Sequence, residues 1–232
     1  MKLFLSFMAL FGMVLNINAL EIPEIFGNDM ILQRNTQCKI WGWAEANHYV
    51  RIVTGWDNHS YLAKAGKDGA WKVEVKTTEA SYNTYDITFS EYSSDPEKKA
   101  KGIQPVATSV SKDVLIGEVW FCSGQSNMEM SLGGFWNCPV EGANETILES
   151  QKYNRSIRVA TIARDGKQEP QKKVAGKWEK AEPKNASHFS ACAYYFATTL
   201  TDALDVPVGV INCSWGGSCV EGWLPKEILL TY

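Results

Sequence analysis

Histidine is scarce in this 232-residue sequence, which contains only three. A Cys-x-x-Cys pair is also absent, although the chain has six cysteines. Zinc sites in proteins are built from closely spaced cysteine and histidine ligands, and these residues are too scattered for that. We therefore expect no metal ion and no cofactor.

An excess of positive charge is missing as well. The 23 basic residues are outnumbered by 26 acidic ones, which gives a formal net charge of -3. The sequence has no stripe of Lys and Arg interleaved with aromatic residues, the usual mark of a protein that binds nucleic acid. We predict that nucleic acid is not a partner.

Long apolar runs are absent after residue 19. Residues 1–19 combine a positive charge at Lys2 with a short apolar run and end at Ala19, a pattern typical of a secretory signal peptide. That run is too short to form a stable membrane-spanning helix. The sequence thus predicts a secreted or periplasmic protein with no membrane span.

Residues 20–111 show a pattern of β-strands only. Alternating apolar residues predict strands at residues 38–43, 49–53, 71–75 and 85–89, with turn residues between them. Short strands at this spacing are typical of a small β-sandwich. We predict that this part is a separate β-sandwich domain that orients the rest of the chain.

Residues 112–232 alternate between strand and helix. Apolar runs predict a strand that ends at Gly124 and further strands at residues 157–162 and 208–213. An amphipathic helix is predicted from Ser187, as N-cap, to Leu204. Since a right-handed crossover joins parallel strands, the strands before Gly124 and at 208–213 should lie parallel in an α/β sheet.

Ser126 lies on the bend that follows the first of these strands. A strand, a tight turn and a helix start lift a hydroxyl above the carboxyl edge of a parallel sheet, where backbone N–H groups can face a developing oxyanion. A lone Gly-x-Ser turn is more often only a turn. Ser126 is our candidate nucleophile.

A second strand runs directly into glycine at Gly216 and Gly217. If the two strands are parallel, this pair opens on the same sheet edge as Ser126. Glycine lets the backbone approach a ligand and donate its N–H groups. The strand-to-turn junctions at Ser126 and at the glycine pair together predict a catalytic site.

Several stretches resemble the sialate O-acetylesterases and related carbohydrate acetylesterases of the SGNH hydrolase superfamily. The similar stretches are Gly-Glu-Val-Trp at 117–120, Gly-Gln-Ser-Asn-Met at 124–128, Ser-Trp-Gly-Gly at 214–217, Glu-Gly-Trp at 221–223, and residues 25–33, 41–44, 189–196 and 206–211. The resemblance covers nearly all the chain after residue 19.

This resemblance implies a partial three-layer α/β/α hydrolase domain at residues 112–232 and a serine esterase activity. Ser126 would be the nucleophile. Gly216 and Gly217 would supply the oxyanion donor, with Gln125 and Asn127 beside them as further oxyanion or substrate-binding residues. The expected partner is O-acetylated sialic acid or another acetylated glycan.

The family also uses an Asp-x-x-His segment, which has no match before Tyr232. His188 is the only histidine of the α/β part, and we expect it at the amino edge of the sheet, in a structural or solvated role. The chain thus resembles the N-terminal half of an esterase. A missing C-terminal half or a second polypeptide would supply the base.

Three functions remain open from sequence. The first is a secreted esterase that removes O-acetyl groups from sialic acid, with acetylxylan-type polysaccharide as the alternative substrate. The second is a non-catalytic carbohydrate-binding fragment. The third, a lipase-like enzyme of the same superfamily, ranks lowest because no long exposed apolar lid is visible.

Overall fold

The computed structural model describes residues 20–98, 103–167 and 169–231. The predicted signal peptide at residues 1–19 lies outside these ranges. The strands are β1 (Ile31–Gln33), β2 (Gln37–Trp43), β3 (Tyr49–Thr54), β4 (Ser60–Lys64), β5 (Ala70–Lys76), β6 (Ser81–Tyr92), β7 (Ala107–Gly124), β8 (Ile157–Thr161), β9 (Trp178–Lys180) and β10 (Val208–Ser214). The helices are α1 (Ser126–Glu129), α2 (Ala143–Glu149), α3 (Pro183–Ala186), α4 (Ala191–Leu204) and α5 (Lys226–Leu229).

One mixed sheet connects both parts of the chain. Its strand order is β4-β3-β6-β7-β10-β8-β9, and β1 pairs with β7 outside this path. Strands β2 and β5 form a separate two-stranded ribbon. Side chains of this ribbon, such as Ile40 and Val75, share a buried core with Ile52 and Phe89 of the sheet. The mixed α/β class is confirmed.

Strand β7 is shared by the β part and the α/β part. Its first half pairs antiparallel with β6, and its last seven residues pair parallel with β10. At Asp113, which has a φ of 57°, the register with β6 shifts in a β-bulge. The predicted boundary after residue 111 therefore falls inside one continuous strand. The separate β-sandwich is not confirmed, and the two-domain division stays a prediction.

The α/β part packs one sheet face against α4. Buried side chains of β8 and β10, including Val159 and Val210, share a core with Ala193 and Ala197 of the helix. The predicted N-cap was wrong by three residues, because the Ser190 hydroxyl, rather than Ser187, accepts the N–H of Ala193 at 3.3 Å. In the described residues no helix combines the length and apolar character needed to cross a membrane.

A network of charges joins β7, β8 and β9 to the segment before β1. Arg158 of β8 is almost fully buried and donates to Asp113 of β7 at 2.9 Å. Lys180 of β9 pairs with Asp113 and, at 3.2 Å, with Asp29 just before β1. Opposite charges compensate each other here, which allows a guanidinium to be buried.

Candidate active site

The ends of β7 and β10 lie side by side. Ser214 is in register with Gly124, and the N–H of Trp215 donates to the carbonyl of Gly124 at 3.0 Å. The predicted parallel pairing is therefore confirmed. The chain turns away from both strands at the same edge, so Ser126 and the glycine pair meet there.

Ser126 is the first residue of α1, a helix of one turn. Two backbone hydrogen bonds close this turn. The N–H of Glu129 donates to the carbonyl of Gln125 at 2.8 Å, and the N–H of Met130 donates to the carbonyl of Ser126 at 2.9 Å. Ser126 is exposed. Its hydroxyl is thus held on a short ordered turn and is accessible from solvent.

The two glycines form the centre of a tight turn from Trp215 to Ser218. A hydrogen bond of 3.3 Å from the N–H of Ser218 to the carbonyl of Trp215 closes this turn. Gly217 has a φ of 75°, a conformation in which a side chain would be strained. A Cβ atom on Gly216 would lie 3.4 Å from Ser126 Oγ. A side chain added at position 216 would therefore reach the candidate nucleophile, so Ser126 lies next to the glycine turn.

Glu129, the last residue of α1, reaches the glycine turn. It was not among the site residues predicted from the sequence. Its Oε2 accepts the N–H of Gly216 at 2.9 Å, and its Oε1 pairs with Arg164 Nη1. Residues three apart on a helix share one face, so the spacing from Ser126 to Glu129 was the available signal. Arg164 has no comparable sequence signal, since it belongs to an irregular segment after β8.

The other predicted site residues have different surroundings. The side-chain amide of Gln125 donates to the carbonyl of Ser218, so it holds the glycine turn from the other side. Asn127 is exposed on α1. The substrate-binding roles of Gln125 and Asn127 stay predictions.

A cleft of about 860 Å³ opens beside the glycine turn. Trp215 and Trp223 line it and are 41% and 37% exposed. The indole N–H of Trp223 donates to Ser218 Oγ at 2.8 Å, which fixes that ring against the turn. Exposed indole faces beside a polar turn are suited to stacking against a sugar ring.

Cysteine thiols also lie near this edge, on β7 and β10. Burial raises the pKa of Cys122 and of Cys213 above the ordinary value. A higher pKa keeps a thiol protonated, and the thiol form is a poor nucleophile. Burial therefore gives no reason to assign either thiol as a nucleophile. In the described residues no group of three or more His, Cys, Asp and Glu side chains could hold a metal ion.

His188 lies at the carboxyl edge, so its predicted position was wrong. The residues just after it begin α4, and Ala191 N–H donates to the carbonyl of Met130, directly after α1, at 2.7 Å. The physical reason is that a crossover helix runs antiparallel to its strands, so its N-terminus lies beside their carboxyl ends. His188 is exposed.

Curated relatives match most of the chain. It is 28% identical to the human sialate O-acetylesterase over 218 residues, 88% of this chain. It is 33% identical to the mouse sialate O-acetylesterase over 122 residues, 50% of this chain. No protein-family model matches the chain.

A solved structure agrees with these relatives. A carbohydrate acetylesterase from Xanthomonas citri superposes with a TM-score of 0.77 and 26% identity over 91% of this chain. The chain spans 38% of the human relative and 44% of the Xanthomonas structure.

Proposed function

Because the resemblance to the sialate O-acetylesterase family is confirmed over most of the chain, we propose that the chain carries the nucleophile of a secreted carbohydrate esterase. The proposed reaction removes O-acetyl groups from sialic acids. Residues 112–232 would form part of an SGNH hydrolase domain, and residues 20–111 would orient it.

The observation that carries this proposal is the closeness of the Ser126 hydroxyl to the glycine turn. Ester hydrolysis needs a hydroxyl close to backbone donors that can stabilise a tetrahedral oxyanion. Ser126 Oγ lies 3.4 Å from the Cβ position of Gly216, at the paired ends of two parallel strands. This arrangement supports nucleophilic acyl transfer.

In the proposed mechanism Ser126 Oγ attacks the acetyl carbonyl carbon and gives its proton to a general base. The carbonyl oxygen becomes an oxyanion that accepts a backbone N–H of the glycine turn. The sugar oxygen then leaves with a proton, and an acetyl group remains on Ser126. Attack by water releases acetate and restores the hydroxyl.

The cleft supports a sugar as the leaving group. Trp215 and Trp223 offer partly exposed rings next to the turn, so a sugar that stacks on them would carry its acetyl group toward Ser126. The similar Xanthomonas protein is a carbohydrate acetylesterase, a broader class than the sialate esterases. Acetylxylan-type polysaccharide, which is also an acetylated carbohydrate, is therefore our second candidate substrate.

The proposal is tested by acetate release from O-acetylated sialic acid, acetylxylan and an aryl acetate. The chain would be assayed alone and with a polypeptide that carries the Asp-x-x-His segment of the family. Acetate release from the sialic acid, lost in Ser126→Ala, is the expected result. Release from acetylxylan alone would favour the second substrate. Glycan binding without release in either form would favour the non-catalytic alternative.

A further inference from the structure

The N–H of Gly216 already has an anionic acceptor. Glu129 Oε2 takes this donor at 2.9 Å and would lie 2.3 Å from a Cβ atom on Gly216. A second anion at the same donor would meet the negative charge of this carboxylate. Gly216 is therefore unsuited to stabilise an oxyanion while Glu129 remains in place.

Gly217 offers the neighbouring donor. It is the third residue of the Trp215–Ser218 turn, where a positive φ is typical of a type II turn. Gly217 is exposed, and no atom lies within 4 Å of its Cβ position in the described residues. Its N–H has no hydrogen-bond partner in the part of the chain that the structure describes. This donor is free for a ligand.

One carboxylate connects three neighbouring strand ends. Glu129 follows β7, Gly216 follows β10, and Arg164 follows β8. The Glu129 side chain is 20% exposed whereas that of Arg164 is 57% exposed, so water screens the arginine end more strongly. The hydrogen bond from Gly216 to Glu129 is therefore less screened by water than the ion pair with Arg164.

We propose that Glu129 is a positioning residue that anchors the glycine turn to α1, so that Gly217 rather than Gly216 donates to the oxyanion. The role of Gly217 rests on the proposed esterase function. The anchor rests only on the contacts of Glu129. The opposing idea is that Glu129 blocks the site, and the experiments below separate the two.

Hydrogen exchange of the Gly216 and Gly217 amides, followed by NMR, tests the anchor without any need for turnover. Glu129→Ala should speed exchange at Gly216 by roughly 10- to 100-fold, the contribution expected of a hydrogen bond to a charged group. Glu129→Gln keeps a carbonyl acceptor and should have a smaller effect. Glu149→Ala removes an exposed glutamate paired with Lys152 and serves as the control. Unchanged exchange at Gly216 in Glu129→Ala would overturn the anchor.

A phosphonate ester that reacts with Ser126 tests the donor. The phosphorus bonds to Ser126 Oγ, the aryloxide leaves as the phenol with the serine proton, and the phosphoryl oxygen on the tetrahedral phosphorus stands in for the oxyanion. We expect slower amide exchange at Gly217 in this adduct and little change at Gly216. Slower exchange at Gly216 instead would overturn the assignment to Gly217. Failure of the reagent to modify Ser126, with the polypeptide that carries the Asp-x-x-His segment present, would count against the proposed function but not against the anchor.

Measurements of ester turnover distinguish the two roles considered for Glu129, anchoring the glycine turn or blocking the site. Glu129→Ala should lower kcat on the order of tenfold with KM changed by less than about twofold, and Glu129→Gln should restore part of the loss. Faster hydrolysis by Glu129→Ala would show that the carboxylate blocks the site and would overturn the proposal. If every variant including the parent is inactive, the exchange measurement decides the anchor by itself.

Discussion

At position 216 one added methyl group would meet two functional side chains. It would lie 2.3 Å from Glu129 Oε2 and 3.4 Å from Ser126 Oγ, whereas a methyl group at position 217 would meet no atom within 4 Å. The carboxylate is the end of a flexible side chain, so Gly216→Ala should displace it without unfolding the protein. Gly217 has a φ of 75°, so Gly217→Ala adds backbone strain instead.

We therefore expect a contrast between the two alanine variants. Gly216→Ala should lower turnover by on the order of 10²-fold, as when an oxyanion site is disturbed, with nearly parental melting. Gly217→Ala should lower the free energy of unfolding by about 1 kcal/mol and lower turnover as well. Thermal melting and aryl acetate hydrolysis measure both effects. Parental turnover in both variants would mean that the glycine pair is only a turn.

His188 is at the correct edge for a base, yet its surroundings do not prepare it for that role. A catalytic histidine is oriented by a third group that fixes its tautomer. His188 is exposed, and in the described ranges no hydrogen bond joins its ring to a carboxylate. His188→Ala should therefore leave ester hydrolysis within about twofold of the parent. A loss as large as that of Ser126→Ala would identify His188 as the base.

The positions of Ser126 and of the glycine pair at one sheet edge could be predicted because each follows an apolar strand directly. The helical spacing places Glu129 on the face of Ser126, but its contacts with Gly216 and Arg164 could not be predicted, since these partners are 87 and 35 residues away in sequence. Such contacts depend on which strands become neighbours. His188 was misplaced because the direction of the crossover helix was assigned wrongly.

At the scale of elements, the charge network around Arg158 ties β7, β8 and β9 to the segment before β1. Asp113→Asn would leave the buried guanidinium with Asp29, 3.7 Å away, as its remaining carboxylate. We expect a loss of about 2–3 kcal/mol in the free energy of unfolding, reduced because Asp113 is partly exposed. Denaturant melts at neutral pH measure the loss. Equal stability of the two proteins would show that the network is dispensable.

The same network predicts how stability depends on acid. Burial alone would raise the pKa of the Asp113 carboxyl, but the bonds from Lys180 and Arg158 outweigh it and hold the pKa below the ordinary value. A carboxyl whose pKa is lower in the folded than in the unfolded protein stabilises the folded state at pH values above the unfolded pKa. This contribution is lost as the pH falls through the folded pKa. The stability difference between the parent and Asp113→Asn should therefore shrink as pH falls below about 4. A constant difference down to about pH 2 would contradict this.

Strand positions were largely predictable because alternation and apolar runs are local. The predicted strands at residues 38–43 and 208–213 lie within β2 and β10. Pairing is not local, which explains why β7 was divided in the prediction although it serves both parts of the sheet. Short elements such as β1 and α3 lack a periodic pattern and were missed.

At the scale of the molecule, the sheet face opposite α4 leaves aromatic surface in water. Trp120 packs against Phe196 of α4, with ring centroids 5.2 Å apart, so the next residue of β7 points to the other face. That residue, Phe121, is 66% exposed. The pairs of β7 with β6 and β1 end at Ile116 and Gly117, so in the described residues Phe121 also lies beside an unpaired strand edge. Exposed aromatic surface beside such an edge promotes association.

Phe121→Ser should therefore reduce self-association of the isolated chain, measured by light scattering, with a change in melting of no more than a few degrees. Trp136 is 99% exposed on a loop, so Trp136→Ser is the matched control that removes aromatic surface away from the strand edge. An equal reduction of self-association by both changes would show that the sheet face around Phe121 does not drive the association.

The account as a whole depends on Ser126 as the nucleophile. The direct measurement is hydrolysis of an aryl acetate by the parent and by Ser126→Ala, each combined with a polypeptide that carries the Asp-x-x-His segment. We predict hydrolysis above the buffer rate for the parent and hydrolysis at the buffer rate for the variant, with equal melting of the two, because an exposed hydroxyl contributes little to stability. Parental turnover by Ser126→Ala, or a parent no faster than buffer, would contradict the account.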